Sequence, residues 1–541
     1  MEKKTEKTLR ITFMPDGITA CVPEGTAASD AADSASVMIG RHCGGAGVCG
    51  KCRVMVKDKS KDPFAPVTET EKKRLAQDEL RTGVRLACCA RIARDGAVYV
   101  IDRNESRGSR ILEGFFSGIK DWSQDKSGFG AAVDIGTTTV VCYLLDLDRH
   151  KITDRVSFLN PQVAFGDDVI SRIAYSSSSG EALLRARKAI TAEIEKNILA
   201  MTEKNGIPPE EIKEIVIAGN TVMEHLFAGV SPESIGRSPY SPQFLIMPPF
   251  PAADIGMEIN ETCTVKMLPN VAGYVGADIV AGVAATGMDI EDKMRLLVDI
   301  GTNNEIVIGS RKGMYCCATA AGPAFEGARI QYGMRAAEGA IEKVFMEDGE
   351  LACKTIGGSS PRGLCGSGLI DAIALLLDEG IIFPGGRFEY PEKCTDQRFA
   401  KRLCRDAKGM VRLLLTDEEH PVYLTQKDIR EVQLAAGAVK VGTEVMLERA
   451  GITAKDIGEV CLAGAFGNNI NIESAVRVGL IPNVRRDIIT GVKNSSGLGA
   501  CMSLASDDFF RRTKSAAEKM AYVELSSLAD FQKRFINAMS F

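Results

Sequence analysis

The sequence predicts a multidomain protein of mixed structure: a small α+β domain at the N-terminus, followed by a larger two-lobed α/β unit. Two observations lead to this prediction. Short runs of alternating apolar and polar residues surround a glycine-rich loop with three cysteines within residues 1–102. The rest of the chain contains two copies of one unit, an apolar strand, a tight turn and a second strand, centred on Asp134 and Asp299.

The amino-acid composition excludes several classes of protein. The 541 residues are 25% charged and 45% hydrophobic, which is ordinary for globular domains and excludes disordered, collagenous and coiled-coil proteins. A net charge of −5 implies no general affinity for nucleic acid or anionic membranes. The sequence shows no signal peptide and no apolar run long enough for a transmembrane helix, and its 16 cysteines are too few for a disulfide scaffold. We therefore expect a cytoplasmic protein with reduced thiols.

The start of the chain predicts strands and one capped helix. Alternating residues from Leu9 onward lead to a Pro-Asp-Gly turn at 15–17 and a second strand, which indicates a β-hairpin. Thr68 and Glu71 form a capping-box pattern that begins a helix through about Leu80.

Four cysteines carry the chemistry of this domain. Intervals of five, two and 35 residues separate Cys43, Cys49, Cys52 and Cys88. Thiolates are soft ligands, and four of them complete the shell of a [2Fe-2S] cluster. The pattern resembles plant-type ferredoxins, although their first interval is four residues. The resemblance implies a β-grasp fold and favours Cys88 over Cys89 as the fourth ligand; a zinc site or free cysteines remain alternatives.

Residues 103–128 have polar ends and an apolar centre, without periodicity. This composition predicts a linker after the domain of residues 1–102, with a plain surface loop as the alternative.

The two repeated turns predict a phosphate site. Each follows an apolar strand, and glycine amides and hydroxyl or amide side chains form an anion-binding concavity. The aspartate at the strand end can hold hydrated Mg²⁺, or it can simply stabilise a turn. The candidate residues are Asp134, Gly136, Thr137, Thr138, Asp299, Gly301, Thr302 and Asn303.

A third glycine-rich turn completes the pattern. Gly464, Phe466 and Gly467 follow a strand, and small residues there allow a nucleoside to lie against backbone. The three turns together resemble the phosphate-1, phosphate-2 and adenosine motifs of the ATPase superfamily of acetate and sugar kinases, Hsp70 and actin. The resemblance implies ATP in a cleft between two lobes, with a middle domain at 129–205 and a C-terminal ATP-binding domain at 206–541. Weaker candidates, which can equally serve packing, are Gly322–Gly327, Gly366–Gly368 and Asp278.

An electron centre and an ATP cleft in one chain indicate a coupled reaction. A plant-type cluster has a potential near −400 mV, so an electron sent to a lower-potential acceptor travels uphill. A gap of about 100–200 mV costs roughly 2–5 kcal/mol for one electron, which ATP can supply. We therefore predict ATP-dependent reduction of a low-potential acceptor.

The whole chain resembles the reductive activators of corrinoid enzymes found in acetogens and methylotrophic anaerobes, in the subgroup with one N-terminal [2Fe-2S] cluster. The resemblance extends from the cysteine loop through both phosphate turns to Gly464–Gly467 and the Gly479-Leu480-Ile481-Pro482 run. It implies one-electron reduction of an inactive Co(II) corrinoid to Co(I) in a methyltransferase system such as an O-demethylase. It also implies an upstream low-potential electron donor and a homodimer.

By this resemblance the four cysteines hold the cluster, Asp134 and Asp299 organise Mg²⁺ and catalysis, and the remaining turn residues bind ATP. Two alternatives stay open. One is a small-molecule kinase of the same ATPase fold with a redox-regulatory ferredoxin domain, and the other is an actin-like module that senses redox state without delivering electrons.

Overall fold

The computed structural model describes residues 8–541 apart from 15–16, 36, 38, 40–51, 58, 76, 101–121, 124–125, 302, 320–321, 323, 328 and 465–469. The described chain forms an N-terminal domain and two α/β lobes.

The N-terminal domain is built on one mixed sheet. Its strands are β1 (Thr8–Met14), β2 (Ile18–Pro23), β3 (Arg53–Met55), β4 (Val84–Leu86) and β5 (Gly96–Val100), and its helices are α1 (Ala28–Ser34), α2 (Glu69–Arg74) and α3 (Gln77–Arg81). The strand order is β2-β1-β5-β3-β4. The β1–β2 pair is the predicted hairpin, and β1 runs parallel to β5. Leu9, Ile11 and Phe13 bury alternate side chains in one core with α1, which fits the predicted β-grasp arrangement.

The predicted helix from Thr68 starts where the sequence indicates but is shorter. The Thr68 hydroxyl accepts a hydrogen bond from the Glu71 amide, and the Glu71 carboxylate accepts one from the Thr68 amide. The expectation that this helix reaches Leu80 is wrong. Leu75 adopts an extended conformation and buries its side chain, so the helix ends at Arg74 and a separate short helix follows.

The first lobe contains a six-stranded sheet. Its strands are β6 (Phe129–Ile135), β7 (Thr139–Asp146), β8 (Lys151–Leu159), β9 (Ile212–Gly219), β10 (Phe250–Pro251) and β11 (Thr264–Met267), and its helices are α4 (Val169–Ser176), α5 (Gly180–Asn205), α6 (Thr221–Ala228) and α7 (Ala277–Thr286). The order is β10-β11-β9-β6-β7-β8. Helix α5 buries one face that includes Ile190, Ile194 and Ile198, which recur every four residues. Strands β9 and β11 lie beyond residue 205, where the sequence predicts a domain boundary, and pair within this sheet.

The second lobe repeats this plan and adds two small sheets. Its strands are β12 (Arg295–Ile300), β13 (Asn304–Ser310), β14 (Gly313–Thr319), β15 (Ala340–Glu347), β16 (Glu350–Thr355), β17 (Gly363–Leu364), β18 (Leu403–Arg405), β19 (Val411–Leu414), β20 (Tyr423–Thr425), β21 (Glu459–Ala463), β22 (Ile489–Lys493) and β23 (Met520–Tyr522). Its helices are α8 (Gly366–Asp378), α9 (Gln397–Ala400), α10 (Gln426–Ala450), α11 (Ile472–Val478), α12 (Ser495–Ala505), α13 (Asp507–Glu518) and α14 (Phe531–Ala538).

The strand order of the two large sheets reveals the internal repeat. The second sheet has the order β22-β21-β12-β13-β14-β23. In both sheets an antiparallel hairpin, β6–β7 or β12–β13, lies beside a later parallel strand, β9 or β21. Because both predicted phosphate turns connect the two strands of these hairpins, the repeat places them at equivalent positions.

Helices α7 and α12 pack against each other between the lobes. A methyl group on Gly499 would overlap the carbonyl of Ala281, so the two backbones touch. This pair brings residues from the C-terminal part of the chain against the first lobe.

None of the helices in the described part of the chain combines the length and apolar character that a membrane crossing requires.

Candidate functional site

Two of the predicted cluster ligands meet at the ends of neighbouring strands. Pairing of Arg53 with Leu86 places Cys52, just before β3, beside Cys88, just after β4. Their Sγ atoms lie 3.2 Å apart, and both side chains are buried. The hydrogen bond to Cys88, together with burial, raises the pKa of the Cys52 thiol. The local fold thus brings together two soft donors that are far apart in sequence, as a thiolate-held centre needs.

Of the other cysteines that could complete the ligand set, the structure describes only Cys89. Cys43 and Cys49 lie outside the described residues. The Cys89 Sγ lies 3.7 Å from that of Cys88, its side chain is partly exposed, and burial raises its pKa. No group of three or more His, Cys, Asp or Glu side chains arranged to bind a metal occurs among the described residues. The four-cysteine ligand set remains a prediction.

In both predicted phosphate turns the glycine amide is hydrogen-bonded within the turn. In the first, the Gly136 amide donates to the Thr139 carbonyl at 3.1 Å. In the second, the Gly301 amide donates to the carbonyl of Asn303 at 3.2 Å and to Oδ1 of Asn304 at 3.1 Å. Each turn therefore folds tightly between its two strands. Thr302 lies outside the described residues.

A buried arginine donates hydrogen bonds to the backbone of the first turn. Arg172 on α4 is 1% exposed and donates to the carbonyls of Thr137 at 2.5 Å and Gly166 at 2.9 Å. A third donor meets Sδ of Met223 at 3.0 Å. Burial lowers the pKa of Arg172 to about 10, which still leaves the guanidinium charged at neutral pH. The sequence carries no motif that points to this residue.

We expect Arg172→Met to destabilise the first lobe by about 3 kcal/mol, because it leaves buried carbonyls without donors. Urea unfolding measures the change. Arg185→Met is the control, since Arg185 forms an exposed ion pair with Glu181 in the same lobe. Equal unfolding midpoints for the two variants would contradict a supporting role for Arg172.

Four carboxylates converge where the lobes meet. Asp134 and Asp299 end the equivalent strands β6 and β12, as the sequence predicts, and they interact electrostatically with each other. Asp278 at the start of α7 and Glu305 on β13 also interact electrostatically with Asp299. Burial, reinforced by the charge of Asp134, raises the pKa of Asp299 to about 7. Burial, reinforced by Asp278 and Asp299, raises the pKa of Glu305. A site with this repulsion favours a cation when it is filled.

Titration of Asp299 makes the free energy of unfolding depend on pH. Its folded-state pKa of about 7 exceeds the unfolded value of about 3.9, so the folded protein binds an extra proton between these limits. Stability therefore falls as pH rises through this window, by at most about 4 kcal/mol from this group.

We expect Asp299→Asn to raise the melting temperature of the nucleotide-free protein at pH 8, with a smaller gain at pH 5. Thermal unfolding at both pH values measures this difference. Asp292→Asn, which removes an exposed carboxylate of the same lobe, should show no such trend. An Asp299→Asn gain that is the same at both pH values would argue against the raised pKa.

Residues from distant parts of the chain contact the two turns. Ser496 at the start of α12 donates a 2.7 Å hydrogen bond to Oδ1 of Asp134. Across the lobes, the Thr138 hydroxyl donates to Oε2 of Glu326 at 3.2 Å, which brings the Gly322–Gly327 segment to the first turn. Sequence analysis did not single out Ser496, because nothing local links it to a residue 362 positions earlier.

The third motif lies directly beside the second phosphate turn. Gly464 has a φ of +84°, and a Cβ there would meet Oδ1 of Asp299 at 2.6 Å and overlap the carbonyl of Ile300. Only glycine fits this backbone conformation and this approach without strain. The position of Gly464 supports its predicted place in a nucleotide site; Phe466 and Gly467 lie outside the described residues.

Comparison with known proteins assigns the chain to a family. The corrinoid activation enzyme RamQ of Eubacterium limosum is 35% identical over 434 residues, which cover 79% of this chain and 72% of the relative. The chain belongs to the family of reductive activators of corrinoid proteins. A solved structure of this family, a reductive activator for corrinoid, iron–sulfur protein, is 32% identical, matches 98% of both chains and has a TM-score of 0.68. The methylated-amine-specific Co(II) corrinoid protein reductase of Methanosarcina barkeri is 24% identical over 392 residues, 67% of each chain.

Family models match three successive parts of this corrinoid activator. Residues 11–93 match a 2Fe-2S iron–sulfur cluster binding domain, 129–291 the RACo middle region and 293–541 the C-terminal ASKHA domain of RACo. ASKHA denotes the ATPase superfamily named in the sequence analysis. These matches confirm the predicted fold class, and with it an iron–sulfur domain joined to an ATPase fold.

Proposed function

We propose that this protein reduces the inactive Co(II) form of a protein-bound corrinoid to Co(I) in an ATP-dependent reaction, within a methyltransferase system. One observation carries the proposal. A member of the corrinoid activator family combines an iron–sulfur domain, in which Cys52 and Cys88 meet, with two lobes that each carry a phosphate-type turn at the equivalent position. An upstream low-potential electron donor and a homodimer belong to the same proposal.

Within this proposal, Cys43, Cys49, Cys52 and Cys88 hold a [2Fe-2S] cluster, which supplies one-electron chemistry when bound. The site fits it, because the two described thiols are soft donors in a buried position. The sequence places Gly44, Gly45 and Gly47 between these cysteines, and glycine permits backbone conformations that direct amides toward inorganic sulfurs.

ATP binds between the lobes. Gly136, Thr137 and Thr138 contact phosphates from one side, and Gly301, Thr302 and Asn303 from the other. Gly464, Phe466 and Gly467 accommodate the nucleoside beside the second turn. The equivalent positions of the two turns and the close approach of Gly464 to Asp299 support this arrangement.

Mg²⁺ accompanies the nucleotide, held by Asp134 and Asp299 together with water and phosphate. Magnesium keeps several waters and uses one or two carboxylates, so a direct cage of protein ligands is not needed. The raised pKa of both carboxyl groups fits a site that lacks a countercharge until metal and nucleotide arrive.

ATP is required for an energetic reason. The Co(II) corrinoid is a poor electron acceptor relative to a cluster near −400 mV, so reduction is uphill by roughly 2–5 kcal/mol for a gap of about 100–200 mV. Binding or hydrolysis of ATP can offset a cost of this size when the cleft changes conformation with the partner bound.

An anaerobic mixing experiment tests the proposal. The reconstituted protein, a low-potential reductant and a Co(II) corrinoid protein are combined with and without Mg-ATP, and the corrinoid spectrum is followed. We expect Co(I) to appear only with Mg-ATP. Failure with several corrinoid proteins and an intact cluster would contradict the proposal, and formation of a phosphorylated small molecule would favour the kinase alternative.

A further inference from the structure

Helix α12 begins at the proposed nucleotide site. Its Ser496 hydroxyl donates to Asp134 at 2.7 Å. Asn494, the residue that caps the helix, accepts a 2.7 Å hydrogen bond from the Gly497 amide, which fixes the first turn of the helix. A displacement of Asp134 is therefore transmitted directly to the start of this helix.

The C-terminus of α12 is hydrogen-bonded to the last residues of the predicted linker. The carbonyls of the last turn of a helix lack partners inside the helix. Here the Leu504 carbonyl accepts a 2.7 Å hydrogen bond from Nζ of Lys126, and the Ala505 carbonyl accepts one of 2.9 Å from the Ser123 amide. The segment that leads from the iron–sulfur domain thus caps the C-terminus of α12, where a positive charge is also favourable.

Lys126 is an anchor rather than an ordinary linker lysine. Its side chain is 10% exposed, and besides Leu504 it contacts Glu214 at 2.9 Å and Asp507 at 3.1 Å. An ammonium group has three donors, so these contacts satisfy it fully. Lys266 bonds the same two carboxylates and balances their charge.

A second contact holds the same segment. The ring of Trp122 stacks on that of His150 at a centroid distance of 5.2 Å, at the turn between β7 and β8. Trp122, Ser123 and Lys126 therefore all contact the ATPase unit.

The packing of α12 allows the helix to shift as a rigid body. Its Ala500, Cys501 and Leu504 lie in an apolar layer against the first sheet, and Gly499 touches the backbone of α7. Eleven helical residues span about 16 Å. A helix held by close packing transmits a shift along its length with little internal deformation.

We propose that α12 couples the nucleotide site to the segment that carries the iron–sulfur domain. Ser496 acts as a positioning residue for Asp134 at one end, and Lys126 ties residues 122–128 to the other. The inference rests on the proposed function, because it assigns the route by which ATP alters the placement of the electron-donating domain.

Hydrogen exchange of the full-length holoprotein tests this coupling, with saturating Mg-ATP as the only probe. In the wild type we expect Mg-ATP to change the exchange rate of the peptide spanning 122–128 by about fivefold, within the usual range of coupling between sites. Ser496→Ala should abolish this change while the peptide keeps its nucleotide-free rate, and Ser496→Thr, which retains the hydroxyl, should restore it.

Lys126→Met should leave the peptide exchanging fast with and without Mg-ATP. Lys204→Met is the matched control, since Lys204 pairs with Asp154 on the surface of the same lobe and should keep the wild-type response. Mg-ATP binding without any change at 122–128, or a Ser496→Ala variant with a normal response, would overturn the inference alone. Absence of Mg-ATP binding by the wild type would instead overturn the proposed function.

Discussion

Cys88→Ser is expected to lower ATP-dependent Co(I) formation by more than about 100-fold, while ATP hydrolysis stays close to that of the wild type. Even groups that only orient metal ligands change metal affinity by about 10–100-fold, so loss of a ligand should cost more. Iron content and the visible spectrum of the purified protein measure the cluster, and the corrinoid assay measures electron delivery.

Cys89→Ser is the matched control for this prediction. Cys89 is the adjacent thiol, but it is more exposed and its Sγ lies 3.7 Å from that of Cys88, whereas Cys52 and Cys88 lie 3.2 Å apart. We expect Cys89→Ser to retain the cluster. A reversed result would make Cys89 the fourth ligand, and loss of ATP binding in Cys88→Ser would contradict the division into an iron–sulfur domain and an ATPase unit.

Asp299→Ala is expected to have the opposite effect. The cluster should be intact, while ATP hydrolysis and ATP-dependent Co(I) formation both fall by about 100- to 1,000-fold, as when a charge-stabilising group is removed from an active site. Asp299 ends β12 at the second phosphate turn, beside Gly464 and within electrostatic range of Asp134. Steady-state ATP hydrolysis and the corrinoid assay measure the two losses.

Asp292→Ala controls for the loss of a carboxylate in the same lobe, because Asp292 forms only an exposed ion pair with Arg311. It should hydrolyse ATP at the wild-type rate. If Asp299→Ala retained full ATP hydrolysis, the proposed role of the second turn would be wrong.

Sequence reasoning predicted the parts of the molecule that depend on local pattern. The hairpin after Leu9 and the capping box at Thr68 follow from the alternation of apolar residues and from capping chemistry. The two Asp-Ile-Gly turns could be predicted from the sequence, because each turn and the strand before it lie within about ten residues.

Contacts between distant segments could not be predicted in this way. Arg172 supports the first turn from another helix, and Ser496 reaches Asp134 only because α12 packs against the first lobe. The break at Leu75 has the same origin, since burial of one side chain outweighed continuation of a helix. Tertiary packing decides such features, and single-sequence patterns do not encode it.

The central claim is that ATP permits one electron to pass from this protein to a corrinoid. The most direct measurement follows the reduced-cluster signal and the corrinoid spectrum in one anaerobic sample, after removal of excess reductant and addition of Mg-ATP. The account predicts that the reduced-cluster signal declines as Co(I) appears, with one electron lost per Co(I) formed, and that neither changes before ATP is added. Co(I) formation without cluster oxidation, or equal transfer without ATP, would contradict it.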